Sequence, residues 1–583
     1  MRYTVPHVAD LPEKSEVARN RWLLLDALLL GLVGGLCAQV FTFLLNISQS
    51  LFLAGLAGYR PPGLPDEGGA LLEAVGAYGL WLIPISTTLG GLLSGLLVFS
   101  FAPEAEGHGT DIVVRAYHKA GGFIRHRVPG IKMIASAITI GSGGAAGREG
   151  PTALIAAGLG SVYAALFKRS SQDTRLLVLV GMAAGLSAIF RSPLGCAIFA
   201  VEVLYSDVEY ESSALFYALV ASLVAYVVNA FFVGWQPLFQ IPDGLVVSGI
   251  GEHAWYLVLG GAAGLVATML PEVFYGARNL FRRIPVPPHV KPAIGGLGVG
   301  LIALALPQVL GGGYGWIQEA IDGKMAASFL LVLIFAKIAA FALTVSSGGS
   351  GGIFAPCLFV GAMLGGFLAK VLGQPSAVFV IVGIVAVFGA AARVPFATAL
   401  MVAEMTGGYQ LLVPAAIALT VSCAIQVTLS QRLKYKSLYE AQVRTSADSP
   451  AHYVERVETA LKLLHDRQVP LCSSIECVNL VDLLESGIPL ELPDGKRLTV
   501  VELHSDSPHV GKEAHSNVLA DTYVEEDVVA VIRGSEVLIP HSRHRLSPGD
   551  KVLMITRDKG CLPGHCDGMK NKPPRPKDAN DVA

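Results

Sequence analysis

The chain has 583 residues, of which 52% are hydrophobic and only 15% charged, with a net charge of −2 and a mean hydropathy of +0.55. Ordinary soluble domains carry roughly 25% charged residues, so one large soluble enzyme is excluded, and so is a mainly disordered chain. The near-zero net charge gives no electrostatic reason to expect a nucleic-acid partner.

The charged residues divide the chain into two parts. The first 439 residues contain 48 of them, whereas the last 144 residues contain 40. A membrane domain at residues 22–440 therefore follows an N-terminal segment, residues 1–21, and precedes a soluble region of ordinary composition.

Apolar stretches fill the first part and predict an all-α polytopic membrane protein. Several depart from the roughly 20 residues of a simple spanning helix, and Gly, Pro or single charges interrupt many of them. Such interruptions indicate tilted, broken helices whose freed backbone lines a cavity or is buried in protein. The stretches are residues 22–53, 80–101, 131–166, 176–205, 214–233, 255–270, 293–310, 329–345, 353–372, 378–402 and 411–429.

Two Gly-rich interruptions, residues 141–151 and 348–356, lie in corresponding halves of this domain. Paired interruptions of this kind predict an inverted repeat with a binding site at the membrane midplane. Basic residues precede the first apolar stretch and follow the last one. The positive-inside rule therefore predicts that both termini lie in the cytoplasm. The membrane is expected to be a bacterial inner membrane.

The first interruption ends in Gly147-Arg148-Glu149-Gly150-Pro151. A carboxylate inside an apolar segment is costly and indicates function. Proline and glycine here predict a helix N-terminus, whose N–H groups attract anions, including the carboxylate of Glu149 itself. Glu149 is thus predicted to compete with a mobile anion, and protonation would release that position. The alternative is a buried Glu149–Arg148 pair without a transport role.

The second interruption ends in Gly352-Ile353-Phe354-Ala355-Pro356. Glycines and serines lead into an apolar helix that carries proline in its first turn, so its N–H groups also point away from the helix start. The alternative is a tight interhelical loop that binds no ligand.

Residues 20–440 resemble the CLC family of chloride channels and chloride/proton exchangers, because both motifs occur in the family's order. Residues 404–410 and Tyr439 also match family positions. The resemblance implies a homodimer with one pore per subunit, in membrane lipid, that transports chloride without catalysis or a cofactor. Glu149 would be the gate, and the implied anion-binding residues are Gly107, His108, Gly109, Thr110, Arg148, Gly150, Gly352, Ile353, Phe354, Ala355 and Tyr439.

The sequence departs from the family in its first anion motif. Where the family carries Gly-Ser-Gly-Ile-Pro, this chain has Gly107-His108-Gly109-Thr110-Asp111. The ring N–H of His108 could donate to the anion in a pH-dependent way. Alternatively, His108 points aside and backbone N–H groups bind the anion.

A second departure concerns proton coupling. Proton-coupled relatives carry two consecutive glutamates where this chain has Glu202 and Val203. Because valine cannot carry a proton, the resemblance favours a passive chloride channel, with Glu202 structural. Some exchangers of the family lack this glutamate, so a chloride/proton exchanger is the alternative. A membrane sensor that transports nothing is a further alternative.

The soluble region predicts a small cytoplasmic α+β domain. Residues 441–494 form a linker with an amphipathic helix at 454–468, and strands are predicted at 498–503, 528–532, 536–539 and 551–555. Residues 495–557 resemble the RCK-C (TrkA-C) regulatory subdomain, although an unrelated α+β domain is the alternative, and residues 558–583 form a tail predicted to be disordered.

The RCK-C resemblance implies a paired domain that binds a small regulator, with cyclic di-AMP as the leading candidate. Contacts to its phosphates would come from His541, Arg543 and Arg545, unless these form a solvated basic loop. Cys561 and Cys566 flank His565 in the polar tail, a pattern too weak to predict a metal site.

Overall fold

The computed structural model describes residues 12–63, 72–77, 79–242 and 250–451. In the C-terminal part it describes residues 490–492, 496–503, 510–511, 524–533, 536–538 and 545–558. Two compact units are present, one ending at Ser449 and one beginning at Pro450. The predicted amphipathic helix at 454–468 lies outside the described residues, as do His541, Arg543 and the tail beyond Asp558.

The first unit is mostly helical, and its helices are bounded by the interruptions that the sequence predicts. A π-helical turn, Ser50–Leu56, continues the first helix. The helices are α1 (Pro12–Gln49), α2 (Ile83–Phe101), α3 (Thr110–Lys119), α4 (Arg127–Gly141), α5 (Glu149–Leu166), α6 (Ser171–Phe190), α7 (Pro193–Glu202), α8 (Ser212–Val233), α9 (Ile250–Arg283), α10 (Lys291–Ala305), α11 (Tyr314–Ile321), α12 (Ala327–Ser346), α13 (Phe354–Leu372), α14 (Ser376–Ala392), α15 (Pro395–Thr406) and α16 (Leu412–Ser430).

Nine helices in the described part of the chain are long and apolar enough to cross a membrane. Three predicted stretches, 131–166, 176–205 and 378–402, are each two helices. The first breaks near Gly143, whose φ of +106° suits glycine. The second and third break before Pro193 and Pro395, because proline begins a helix readily but cannot continue one.

Helix α14 is almost entirely buried, since every residue from Ala377 to Ala392 is buried, and most residues of α6 and α13 are buried as well. Peripheral helices such as α8 instead expose large apolar side chains, including Phe231 and Phe232. An apolar surface of this kind is expected where helices face lipid. The short helices α3 and α11 are absent from the predicted stretches, because they are too short and too polar for a hydropathy pattern to show them.

Two fully buried lysines hold corresponding loops in the two halves. The Lys132 ammonium on α4 donates to the carbonyl oxygens of Ala105, at 3.0 Å, and Gly107, at 2.6 Å. The Lys337 ammonium on α12 donates to the carbonyl oxygens of Val309 and Gly311, each at 2.8 Å. These bonds satisfy carbonyl groups that have no helical partner. They fix the loops that lead into α3 and α11.

Two glutamates connect α7 and α15 reciprocally. The Glu202 carboxylate accepts bonds from the first-turn N–H groups of Phe396 and Ala397 on α15. The Glu404 carboxylate on α15 accepts from the N–H groups of Leu194 and Gly195 at the start of α7. A carboxylate at a helix N-terminus satisfies otherwise unpaired donors and interacts favourably with the helix dipole.

The strands that the structure describes are β1 (Tyr59–Arg60), β2 (Ala74–Val75), β3 (Leu490–Leu492), β4 (Lys496–Glu502), β5 (Val524–Arg533), β6 (Glu536–Leu538) and β7 (Lys551–Asp558). The second unit contains a five-stranded antiparallel sheet in the order β3-β4-β7-β5-β6. Buried Val528, Val531, Val552 and Met554 form its core. The four predicted strands overlap β4 to β7, although β4 and β5 begin earlier and β7 ends later, whereas β3 lies in the segment predicted as a linker.

Candidate functional site

Three glycine-containing loops from distant parts of the chain meet in the centre of the first unit. Gly147 and Gly352 exchange two backbone hydrogen bonds of 2.8 and 2.7 Å. The Gly107 N–H donates to the Gly349 carbonyl and the Gly107 carbonyl accepts from the Gly351 N–H, both at 3.2 Å. The starts of α3, α5 and α13 are thereby brought together, as expected for a site between two inverted halves.

The close approach of these loops depends on the absence of side chains. A Cβ atom on Gly150 would lie 2.3 Å from the His108 carbonyl oxygen and 3.1 Å from the Gly352 Cα. Both contacts are shorter than ordinary van der Waals separations, so glycine is required here. The first-turn N–H groups of α5 and α13 lack helical partners and carry partial positive charge. Their arrangement suits an anion.

Glu149 is the first residue of α5 and is completely buried. Its Oε1 accepts a hydrogen bond of 2.6 Å from the Tyr314 hydroxyl. Its Oε2 lies so close to Gly147 that a Cβ atom there would be 2.0 Å away, and the Ala355 Cβ borders the same space. The carboxylate therefore lies between the starts of α5 and α13, where a mobile anion would also be attracted.

Arg148, although adjacent to Glu149, lines an open pocket together with residues 311–313, Tyr314 and Trp316. The Tyr314 ring borders this pocket, while its hydroxyl reaches the Glu149 carboxylate. Tyr314 thus lies between the pocket and the buried carboxylate. No local sequence pattern indicates Tyr314, because it lies 165 positions from Glu149 in the chain.

Tyr439 and His108 lie together at another part of the site. Tyr439 is buried, and its ring centroid is 5.6 Å from that of His108. The Thr110 side chain is a hydrogen-bonding neighbour of the Tyr439 hydroxyl. Neutral hydroxyl groups therefore accompany the helix starts here, which suits weak and reversible anion binding.

His108 is tied to Asp111, a residue that the sequence analysis noted only as a departure from the family motif. The His108 Nε2 lies 3.1 Å from Asp111 Oδ2, and Asp111 Oδ1 accepts from the Ala441 N–H at 3.2 Å. Asp111 thus connects the loop before α3 with the segment that carries Tyr439. Among the described residues, the buried Nδ1 of His108 has no hydrogen-bond partner.

The side chains of the second motif pack into the core of the protein, while its backbone forms the start of α13. The Phe354 ring packs against Phe388, with ring centroids 3.9 Å apart, and against Phe190, at 4.5 Å. Ile353 and Ala355 are likewise buried. Their side chains position the start of α13, so only backbone N–H groups of this motif are suited to bind an anion.

Val203 directly follows α7 and is fully buried, so the position next to Glu202 carries no titratable side chain. Arg545 of the second unit is exposed, and its carbonyl oxygen accepts from Arg533 at 2.8 Å. In the described residues, no group of three His, Cys, Asp or Glu side chains is arranged to hold a metal ion.

Comparison with known proteins identifies the family. The family model described as voltage gated chloride channel matches residues 90–427. The chain belongs to the CLC family. Its relatives include the voltage-gated ClC-type chloride channel ClcB of Salmonella typhimurium, 29% identical over 427 residues, which are 71% of this chain and 97% of ClcB. The H(+)/Cl(-) exchange transporter ClcA of Salmonella gallinarum is 32% identical over 411 residues, 67% of this chain and 85% of ClcA.

Solved structures confirm the CLC fold. A CLC-type fluoride/proton antiporter matches with a TM-score of 0.61 and 23% identity, covering 73% of this chain and 98% of that one. A slow cyanobacterial Cl-/H+ antiporter also matches with a TM-score of 0.61, at 22% identity, covering 72% of this chain and 96% of that one. The protein is therefore a mostly helical integral membrane protein of a chloride-transporting family.

The family match does not extend to the C-terminal region. The family model ends at residue 427, before the region whose RCK-C resemblance was noted. That resemblance, the cyclic di-AMP hypothesis and the cytoplasmic orientation of the termini therefore stay predictions. Both a chloride channel and an exchanger are among the relatives, so the choice between these two functions is a proposal.

Proposed function

We propose that this CLC protein exchanges chloride for protons across the membrane. The observation that carries the proposal is the burial of the Glu149 carboxylate between the starts of α5 and α13. There, an ionised carboxylate and a mobile anion compete for the same partial positive charge. Protonation of Glu149 removes its charge and frees the position for chloride, so one residue links both ions. Exchangers among the relatives support this choice.

Chloride is proposed to bind where the loops of α3 and α13 meet. The N–H groups of Ile353 and Phe354 and the Tyr439 hydroxyl are the proposed donors. Gly352 permits the close approach to the start of α5, since a Cβ atom there would lie 2.9 Å from the Gly150 nitrogen, and Gly107 provides a φ of +70° in the loop before α3. Donors with partial charges bind a permeant ion weakly enough for release. The family property of one such pore in each subunit of a homodimer is proposed for this chain as well.

The experiment is simultaneous recording of chloride efflux and external pH with proteoliposomes. An exchanger moves protons in fixed proportion to chloride. In Glu149→Gln, which mimics the protonated gate, chloride efflux persists but proton movement is lost. Glu104→Gln is the matched control, because Glu104 is exposed and pairs with Arg125 at 2.7 Å. Proton-coupled transport that survives in Glu149→Gln would exclude the proposed role of Glu149.

A passive channel is the second candidate, and the burial of Val203 favours it. Valine provides no site for an inner proton, so a channel would show chloride efflux without proton movement in the unmodified protein. The same recording separates the two functions. Absence of flux under all conditions would instead favour the sensor.

The position of Asp111 suggests how His108 takes part. A carboxylate only accepts hydrogen bonds, so Nε2 carries the hydrogen that faces Asp111 and Nδ1 of a neutral ring is an acceptor. The N–H group of a neutral ring is therefore used by Asp111, which leaves backbone N–H groups as the proposed donors to the anion at this loop. Calorimetric titration of His108→Gln with chloride should give a dissociation constant within about twofold of that of the unmodified protein. A larger change would assign His108 a direct contact with the anion.

We also propose that the second unit regulates transport by binding a small ligand, with cyclic di-AMP as the first ligand to test. Regulation requires a ligand that binds two states of the transporter with different affinity. Calorimetry on the full-length protein in detergent should give a saturable heat with cyclic di-AMP, reduced in Arg545→Ala. A titration without heat would exclude this ligand.

A further inference from the structure

The start of α11 repeats the plan of the start of α3 in the other half of the first unit. Thr110 begins α3 after Gly109, with φ +91°, and Tyr314 begins α11 after Gly313, with φ +82°. The two preceding loops are held by the corresponding buried lysines described above. Each helix start delivers one hydroxyl to the site: Thr110 to Tyr439, and Tyr314 to Glu149.

The Tyr314 hydroxyl is firmly positioned. The residue is only 4% exposed, and its ring is stacked on that of Phe239, with centroids 5.7 Å apart and an interplanar angle of 30°. Gly312 leaves room for one edge of the ring, since a Cβ atom there would be 3.1 Å from its Cδ2 and Cε2 atoms. The buried, stacked ring holds its hydroxyl 2.6 Å from Glu149 Oε1.

We propose that Tyr314 is a positioning residue that latches the ionised Glu149 carboxylate between the two helix starts. A phenol that donates to a carboxylate forms a charge-assisted hydrogen bond, which is stronger than one to a neutral acceptor. The bond therefore favours the charged, blocking state of Glu149 over the protonated, released state. This proposal rests on the gating role proposed for Glu149. In it, Tyr314, a residue outside the family motifs, stabilises the closed state.

The pH dependence of transport should carry the signature of the latch. The charged and titratable groups that face Glu149 are Arg148, Tyr314 and Tyr439. Removing the Tyr314 hydroxyl takes away a donor that stabilises the ionised form of Glu149. A lower proton concentration is then enough to protonate and release Glu149. The pH at which chloride flux reaches half its maximum should therefore move upward.

The test is chloride efflux from proteoliposomes between pH 4.5 and 8, with Tyr314→Phe. At pH 7 the flux should rise roughly tenfold, the order of magnitude for loss of one hydrogen bond to a charged group. Tyr59→Phe is the matched control: Tyr59 is fully buried, and its hydroxyl donates to a different carboxylate, Glu73 Oε1, at 2.9 Å. That variant should keep the flux and pH midpoint of the unmodified protein.

A double-mutant cycle separates the latch from a general widening of the pathway. Glu149→Gln has no ionised carboxylate to latch, so adding Tyr314→Phe to it should change the flux less than twofold. An equal increase in both backgrounds would overturn the latch, as would an unchanged pH midpoint in Tyr314→Phe. If Glu149→Gln alone left transport unchanged, the gate itself would be refuted. Size-exclusion profiles and thermal unfolding of each variant identify any loss of fold. Tyr314→Thr, which copies Thr110 at the start of α3, is a second variant that is expected to raise chloride flux.

Discussion

The two halves of the first unit share a backbone plan and differ in the side chains placed on it. Lys132 and Lys337 hold equivalent loops, and Glu202 and Glu404 satisfy equivalent helix starts. At the site the equivalence ends, because α5 begins with Glu149 and α13 begins with Phe354. A charged blocking group is thus present at only one of two similar helix starts. The two halves, although alike in backbone, are therefore not equivalent at the site.

The largest effect on stability is expected from the buried lysines, and it should be larger for Lys337 than for Lys132. Lys337→Met leaves the carbonyl oxygens of Val309 and Gly311 without the donor described above. In Lys132→Met the carbonyl oxygens of Ala105 and Gly107 still accept from the Ser350 hydroxyl and the Gly351 N–H. Since an unsatisfied buried carbonyl costs about 1–3 kcal/mol, part of which is offset by no longer burying an ammonium group, Lys337→Met should lose about 3 kcal/mol and Lys132→Met about 1 kcal/mol. Denaturant unfolding in micelles measures the loss, and equal losses in both variants would show that the remaining donors do not compensate for Lys132.

The reciprocal glutamates should give the next largest effect. Glu202→Gln and Glu404→Gln keep the size of the side chain but remove the charge that interacts with the opposite helix start. A loss of about 1–2 kcal/mol in each is expected. The same unfolding assay applies, together with the proton recording. Loss of proton coupling in Glu202→Gln, with stability retained, would give Glu202 a transport role instead of a structural one.

The parts of this framework that local sequence patterns encode could be predicted, and the parts that depend on long-range contacts could not. The motifs around Glu149 and Phe354 combine proline, glycine and apolar residues within a few positions, so both helix starts were predictable. Tyr314 contacts Glu149 across 165 positions, and no periodicity reports such a pair. The two lysines were equally hidden, because an isolated lysine in an apolar stretch does not disclose which carbonyl groups receive its hydrogen bonds.

A smaller effect is expected on chloride affinity at the part of the site where Tyr439 and His108 lie together. Tyr439→Phe removes a buried hydroxyl next to Thr110 and His108. A neutral hydrogen bond contributes about 1 kcal/mol, so the dissociation constant for chloride should rise roughly fivefold. Calorimetric titration of the purified protein with chloride measures this change. Unaltered affinity would indicate that backbone N–H groups alone bind the anion.

The smallest effect on stability is expected in the second unit, where an ion pair joins the end of β5 to the turn before β7. Arg533 donates two bonds of 2.8 Å to the buried carboxylate of Asp550. These hydrogen bonds lower the pKa of Asp550 below its ordinary value. A carboxyl group with a lowered pKa in the folded state stabilises the fold above its unfolded pKa of about 3.9, and this contribution is lost as pH falls through the folded pKa.

The loss of stability that follows from replacing Arg533 should therefore depend on pH and be confined to the second unit. Because Arg533 is 43% exposed, solvent screening limits the loss at pH 7 in Arg533→Gln to about 1 kcal/mol. Hydrogen exchange of β5 and β7 in the full-length protein should accelerate about fivefold at pH 7. The difference from the unmodified protein should shrink as pH falls through the lowered pKa of Asp550, because protonation removes the charge with which Arg533 pairs in the unmodified protein. Equal acceleration above and below that pKa would mean that packing of the Arg533 side chain, and not its charge, stabilises this end of the sheet.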